Sequence, residues 1–260
     1  MAQIFVSKEG AVGKIVLSNP DKYNAMTLEM WQALPKAVAA FDADSSVRVI
    51  VIEGEGKKAF CSGSDVSQFE SRRTGPEEQA YYNRAVEDAH LASTRCSKPV
   101  AAKIRGICYG GGMGFASSCD IRMSASTARF RIPAARIGIG YPAVGISRLL
   151  PLLGPQRTGD ILFSARTFDA REAHEIGFIA SVHEEERLDA EVQEWTKLVA
   201  ENAPLTIRAI KSALVHLATK PGVPLPPEVE GQIGACFSSE DYREGTRAFR
   251  EKRIPEFKGL

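Results

Sequence analysis

Short runs rich in β-branched residues open the chain. Ile4–Val6 and Val12–Ser18 flank Glu9-Gly10, which predicts two strands joined as a hairpin that ends at Asn19-Pro20-Asp21-Lys22. The period then changes to that of a helix. Leu28, Trp31, Leu34, Val38 and Phe41 share one face after Thr27, a good N-cap. Pro35 lies inside that pattern and is expected to kink the helix or split off its first turn. Val47–Glu53 predicts a buried strand. Between Gly75-Pro76 and Lys98-Pro99 a polar helical stretch carries Tyr81, Val86, Ala89 and Leu91, and Val100–Cys108 predicts a further single strand. Ile121–Ser124 and Arg129–Ile132 predict two short strands. Past Gly154 strand signals fade, and helices are expected over Pro155–Ser164, Asp169–Ile176, Glu184–Asn202, Pro204–Ala218 and near Glu240–Lys252, with Lys220–Pro227 as a linker. Strands and helices in alternation define an α/β fold.

Two stretches depart from these periods. The first runs from Gly106 to Gly145, where an apolar run ends in Gly110, Gly111 and Gly112 before small and apolar residues. Glycines there let backbone approach a ligand or another segment closely, and a helix starting at them has N–H groups with no partner inside the helix. Alone, such a triplet reads equally as a flexible loop or a packing point. The second stretch is Lys57–Phe69, which follows a predicted strand and breaks at Gly63. Donors from two separate loops can converge on one oxygen and stabilise charge that develops there.

The paired signatures Ala59-Phe60-Cys61-Ser62-Gly63-Ser64-Asp65 and Gly106 to Ile121, with Arg136-Ile137-Gly138-Ile139 and Val144-Gly145 beyond, resemble the crotonase (enoyl-CoA hydratase/isomerase) superfamily. The resemblance extends from Ile15–Pro20 and Asn24-Ala25 to Phe249–Arg253. It implies a spiral of ββα units over residues 1–200 and a helical C-terminal trimerisation region over residues 201–260, with a homotrimer or a dimer of trimers as the assembly. It also implies an acyl-CoA substrate whose thioester oxygen is held by the backbone N–H groups of Ser64 and Gly111, in an enzyme of the lyase or isomerase class. By the same match Lys22, Ala25, Ser62 and Val66 flank the coenzyme A groove, and Phe249 and Lys252 reach coenzyme A of the same or an adjacent subunit. Coenzyme A enters as part of the substrate, and no separate cofactor is expected.

The pattern breaks where the family carries its two hydratase glutamates, which here are Gly114 and Ala134. Between Gly106 and Leu152 the one acidic residue is Asp120, which matches a structural aspartate of the motif. Tyr141 stands where proline is usual and is similar to the tyrosine of methylmalonyl-CoA decarboxylases. Such a decarboxylase needs an enolate-stabilising site and a proton for Cα but no base to activate water. Three readings stay open: an atypical hydratase or isomerase using Glu87, Asp88 or Tyr141, a malonyl-type decarboxylase, and a non-catalytic acyl-CoA-binding protein. Arg131 is a candidate for a substrate carboxylate and Asp65 for capping local N–H groups, while His90, on a polar helix, reads as an ordinary helix-face histidine or as one that reaches the acyl pocket.

Composition narrows the rest. Lys+Arg 33 against Asp+Glu 32 leaves a net charge of +1, which gives no reason to expect nucleic acid or an anionic membrane as partner. No apolar run reaches membrane-spanning length and the N-terminus lacks a signal-peptide pattern, so a cytoplasmic location is expected. Five cysteines without C-x-x-C spacing suggest neither a disulfide framework nor a zinc site, and Cys61 has no neighbour to activate it.

Overall fold

The structure, a computed structural model, describes residues 2–68 and 75–260. The N-terminal hairpin forms as its sequence predicts, with strands β1 (Gln3–Glu9) and β2 (Val12–Ser18) paired antiparallel. Three strand pairs follow: β3 (Val49–Gly54) and β4 (Ala59–Cys61), β5 (Val100–Ile104) and β6 (Ile107–Tyr109), β7 (Ile121–Ala125) and β8 (Arg129–Arg131). The first member of each pair joins a larger sheet and the second a smaller one. With β9 (Phe168–Asp169) and β10 (Ser181–His183), the six-stranded sheet has the order β1-β2-β3-β5-β7-β10 and the four-stranded sheet the order β4-β6-β8-β9. Beyond the hairpin the larger sheet is parallel, in register from Ile15 on β2 through Ile52 on β3 to Ala102 on β5. This is the repeated ββα unit that the resemblance implies.

Val100–Cys108 is therefore two strands in two sheets, not one. The chain turns at Gly106, which has φ +57°, and a Cβ there would lie 2.0 Å from the Lys58 carbonyl oxygen. Only glycine lets the two segments pass so closely. β9 and β10 carry too few residues to leave a period in the sequence.

Helix α1 (Leu28–Ala43) is N-capped by the Thr27 hydroxyl, which accepts from Met30 N, and it runs through Pro35 without a break. Trp31, Leu34 and Val38 are buried on both sides of Pro35, and this packing outweighs the local cost of the missing N–H. α1 packs against α2 (Pro76–Arg95), whose buried stripe includes Tyr82, Ala85, Ala89 and His90. The short α3 (Gly111–Ala116) follows the glycine triplet. Next come α4 (Ala143–Ser164), broken at Gly154 with φ 71°, α5 (Ala170–Glu175), α6 (Leu188–Ala200), α7 (Pro204–Thr219), α8 (Pro227–Ser238) and α9 (Glu240–Glu251). α4 begins well before the expected Pro155, and α8 occupies a stretch with no predicted element. Pro227 at its first position is the signal that marks this start.

One buried cation ties α7 to the glycine-bearing core. Lys211 is 6% exposed, and its Nζ donates at 2.7 Å to the carbonyls of Ser93 and Lys98 and to Asp120 Oδ2. Three donors meet three acceptors, so the ammonium is fully satisfied. Asp120 Oδ2 also accepts from Val100 N at 2.7 Å, the structural role its motif implies. Lys211→Met leaves the partly buried Asp120 carboxylate without its counter-charge and should cost about 1–3 kcal/mol. Urea unfolding followed by circular dichroism checks this; a midpoint equal to wild type would count against the tether.

Candidate active site

Two backbone segments meet at one end of the pocket. After β4, Gly63 adopts φ +106°, and Ser64 forms a parallel bridge with Met26 in which Met26 N donates to Gly63 O and Asp65 N donates to Met26 O, both at 2.8 Å. Those bonds use the peptide groups on either side of Ser64, so the Ser64 N–H points the other way, toward the pocket it lines. From β6 the chain reaches Gly110, whose N–H donates to Arg131 O at 2.7 Å, and Gly111 starts α3. A Cβ on Gly63 would lie 3.1 Å from Gly111 N, and one on Gly111 would lie 3.7 Å from Ser64 N. The two N–H groups thus stand side by side, and neither has an acceptor among the described residues.

The surroundings fix this pair. A Cβ on Gly112 would lie 2.2 Å from the Cys61 carbonyl oxygen, so glycine alone fits where α3 crosses β4. Trp31, fully buried, donates from Nε1 to Ser64 Oγ at 3.3 Å and places Cζ2 3.4 Å from the Cβ position of Gly111. The Ser64 side chain therefore faces Trp31. Behind α3, the buried Arg122 donates to the carbonyls of Cys119 at 2.6 Å and Phe178 at 2.5 Å.

The pocket has a volume of about 730 Å³ and is lined by Val86, His90, Ile132, Tyr141 and Val144 as well as Ser64 and Gly111. Both expected carboxylate positions bear on it. Ala134 is on its wall, and a Cβ on Gly114 would lie 2.8 Å from Tyr141 Oη and 2.9 Å from His90 Cε1. The space of the missing glutamate is thus taken by a phenol and an imidazole. His90 is buried and lines the pocket, the less favoured of its two sequence readings, with its ring edge-on to Trp31 at 5.7 Å. Tyr141 Oη and both His90 ring nitrogens have no hydrogen-bond partner among the described residues.

Burial holds both groups neutral. The Tyr141 hydroxyl is pushed well above its ordinary value, and burial pushes His90 down to about 4, with the Gly111 backbone opposing that shift and the Arg148 charge adding to it. Glu87 is the carboxylate among the described lining residues and stands exposed at the mouth. Asp88 instead pairs with Arg95 at 3.0 Å on the solvent side, away from the pocket. Cys61 is buried with its thiol pushed up to about 12, so it has no thiolate character.

The remaining predicted positions separate into two groups. Ser62 and Val66 line the pocket, and Ser62 Oγ donates to Lys22 O at 3.1 Å. Lys22, about half exposed, donates from Nζ to Asp65 Oδ2 at 2.9 Å and to Ser67 Oγ at 2.7 Å, while Asp65 Oδ1 accepts from Ser67 N at 3.0 Å. Asp65 thus caps local donors as expected. Ala25 is buried and its carbonyl accepts from Asn19 Nδ2 at 2.8 Å, so that oxygen is already engaged. Phe249 and Lys252 lie on and just after α9 and do not line the pocket of their own chain; Phe249 is 86% exposed. Arg131 donates from Nε to Ala165 O at 2.8 Å, a structural tie in place of the proposed carboxylate contact. Phe69, the last residue of the Lys57–Phe69 stretch, lies outside the described residues.

Known proteins share this chain's sequence pattern and fold. The enoyl-CoA hydratase/isomerase family model matches residues 7–260. A short-chain-enoyl-CoA hydratase of Clostridium acetobutylicum is 30% identical over 253 residues, covering 96% of this chain and 95% of the relative. A crotonyl-CoA hydratase of Syntrophomonas wolfei is also 30% identical, covering 98% and 97%. Among solved structures, an enoyl-CoA hydratase/carnithine racemase from Magnetospirillum magneticum superposes with a TM-score of 0.95 at 33% identity, covering 100% of this chain and 97% of that one. The chain belongs to the enoyl-CoA hydratase/isomerase family, the crotonase superfamily.

The state of His90 predicts a pH dependence. Its folded value of about 4 lies below the ordinary 6.5, so between those values the unfolded chain binds a proton that the folded chain does not. Stability should fall as pH drops through that window, by on the order of 3 kcal/mol at its lower end. Urea midpoints at pH 7, 5.5 and 4.5 should fall less steeply for His90→Met than for wild type; parallel slopes would contradict a buried neutral imidazole.

Proposed function

We propose that this chain is an acyl-CoA-processing enzyme of lyase or isomerase type that stabilises a thioester enolate between the N–H groups of Ser64 and Gly111. The reading is carried by two unengaged amides held side by side at a pocket lined also by Tyr141, whose neutral hydroxyl is buried beside Gly114. Amides fixed by packing need no reorganisation as the oxygen gains charge, which is what makes such donors effective.

Among the described residues the wall beside Gly114 and Ala134 carries no carboxylate, and this favours a reaction with no water-activating base. Decarboxylation of a malonyl-type thioester is such a reaction. The bond from Cα to the carboxylate breaks, carbon dioxide leaves, and the electron pair moves into the thioester carbonyl, whose oxygen accepts from Ser64 and Gly111. Tyr141 then gives its proton to Cα, and solvent returns one to the phenolate. Hydration or double-bond shift is the second reading, favoured by Glu87 at the mouth and by the relatives named as hydratases.

Lys22, Ser62 and Val66 support a coenzyme A groove leading to this pocket. Exposed apolar side chains on the C-terminal helices, including Leu214, Phe237 and Phe249, support an oligomer, for which a homotrimer is the proposed form.

Incubation with malonyl-, methylmalonyl-, crotonyl- and 3-enoyl-CoA in deuterated water, read by mass spectrometry, tests the proposal. Carbon dioxide loss with deuterium at Cα is the expected outcome. Gly111→Pro, which removes one N–H, should lower turnover about 10²–10³-fold. Tyr141→Phe should lower it about 10²–10⁴-fold. Hydration or isomerisation would move the assignment to the second reading, and four unchanged thioesters without Cα exchange would point to a binding protein.

A further inference from the structure

A second cluster of reactive side chains lies outside the acyl pocket, at the edge of the larger sheet. β10 pairs with β7 alone in that sheet, so its other side is open. Ser181 and His183 are two residues apart on this strand, which puts both side chains on one face. The Ser181 Oγ lies 2.7 Å from His183 Nε2. From α6, Glu191 brings Oε2 to 3.8 Å from His183 Nδ1, while its Oε1 accepts from Arg187. A serine hydroxyl, an imidazole and a carboxylate thus stand in series.

Each member is set up for its place in that series. Arg187 holds the Glu191 carboxyl below its ordinary value, so it is charged where it faces the ring. A carboxylate on the Nδ1 side favours the tautomer with its proton there, which leaves the Nε2 lone pair to accept from the Ser181 hydroxyl. The contact at 3.8 Å is one of charge and not a hydrogen bond, the looser geometry common to such groups before a substrate binds. Backbone bonds fix the strand at both ends: Ala180 N donates to Arg122 O at 2.9 Å, and Ser126 N to His183 O at 2.7 Å. Ser181 and His183 are half-buried and so within reach of a dissolved reagent.

We infer that Ser181, His183 and Glu191 form a nucleophile site that accepts acyl groups from activated esters and thioesters. Ser181 Oγ attacks the acyl carbon as its proton passes to His183 Nε2. The bond from that carbon to the leaving oxygen or sulfur then breaks, and the imidazolium gives the proton to the leaving group. The products are a Ser181 acyl ester and a free alcohol or thiol. Glu191 acts through His183 and is a positioning residue. An open sheet edge surrounds no substrate, which limits the site to donors whose leaving group departs readily. None of the three residues lines the acyl pocket, so the inference stands apart from the acyl-CoA reading.

Reaction of the full chain with p-nitrophenyl acetate tests this, read by nitrophenolate release and by mass spectrometry of the peptides. An acetyl group on Ser181, or steady release that is lost in Ser181→Ala, is the expected result. His183→Ala should slow the reaction about 10²-fold or more. Added imidazole should restore part of that rate, which a merely structural role for His183 would not allow. Glu191→Gln should also slow it, whereas Arg187→Ala, which breaks the helix pair but keeps the carboxylate, should not. Ser181→Ala removes one oxygen atom from a half-buried position, so the test survives if His183→Ala fails to fold. Acetylation that spares Ser181 with release unchanged in Ser181→Ala, or a Ser181 adduct that forms equally fast in His183→Ala, would overturn the site.

Discussion

The structure depends on backbone segments that pass closer than any side chain allows. Gly106 against the Lys58 carbonyl moves the chain from the large sheet to the small one, and Gly112 against the Cys61 carbonyl seats α3 directly on β4. Gly63 beside Gly111 N brings the two loops together. These contacts are steric and short-ranged, yet they decide the sheet topology, the direction of α3 and the pairing of two amides from segments far apart in sequence. Trp31 then fills the space behind both loops and bonds to Ser64, so the spacing of the donors is set by a rigid ring.

Most charge near this junction is paired, Arg148 close to His90 and the exposed Glu87 at the mouth excepted. Lys211 and Asp120 neutralise one another beneath α7, and Lys103 pairs with Glu53 and Asp189 near α6. The pocket wall beside α3 is left with neutral polar groups and apolar side chains. In such surroundings a developing negative charge meets little competing field, and the amides of Ser64 and Gly111 act at low local dielectric. The same dryness holds His90 and Tyr141 uncharged, so burial shapes both the acid and its neighbour.

The glycine loops were legible in the sequence because close approach leaves a compositional mark, and Thr27, Asp169 and Asp65 were legible because capping uses a few short polar residues. The split of Val100–Cys108 was not. A two-residue turn between apolar strands does not interrupt hydrophobicity, and Gly106 looks like any other glycine until the Lys58 carbonyl is placed against it. Pro35 misled because local cost is visible in sequence while the packing of Trp31 and Val38 is not. His90 was only half legible for a related reason: its place on the stripe of α2 with Tyr82 and Ala89 left a pocket role open, but its surroundings come from Gly114 and Tyr141, more than twenty residues on. Lys211 gave no signal, since its three acceptors come from three separate segments.

Gly114 also constrains how this site can change. A single substitution to glutamate would not recover the family's usual carboxylate, because the new side chain would enter space already held by Tyr141 Oη and His90. Removing those two side chains first would leave a cavity and no acid at all. Each order of events passes through a form poorer than either end, so the three positions can only be exchanged as a set. The absence of a side chain at Gly114 is thereby tied to the presence of Tyr141 and His90, and none of the three positions is free to change alone.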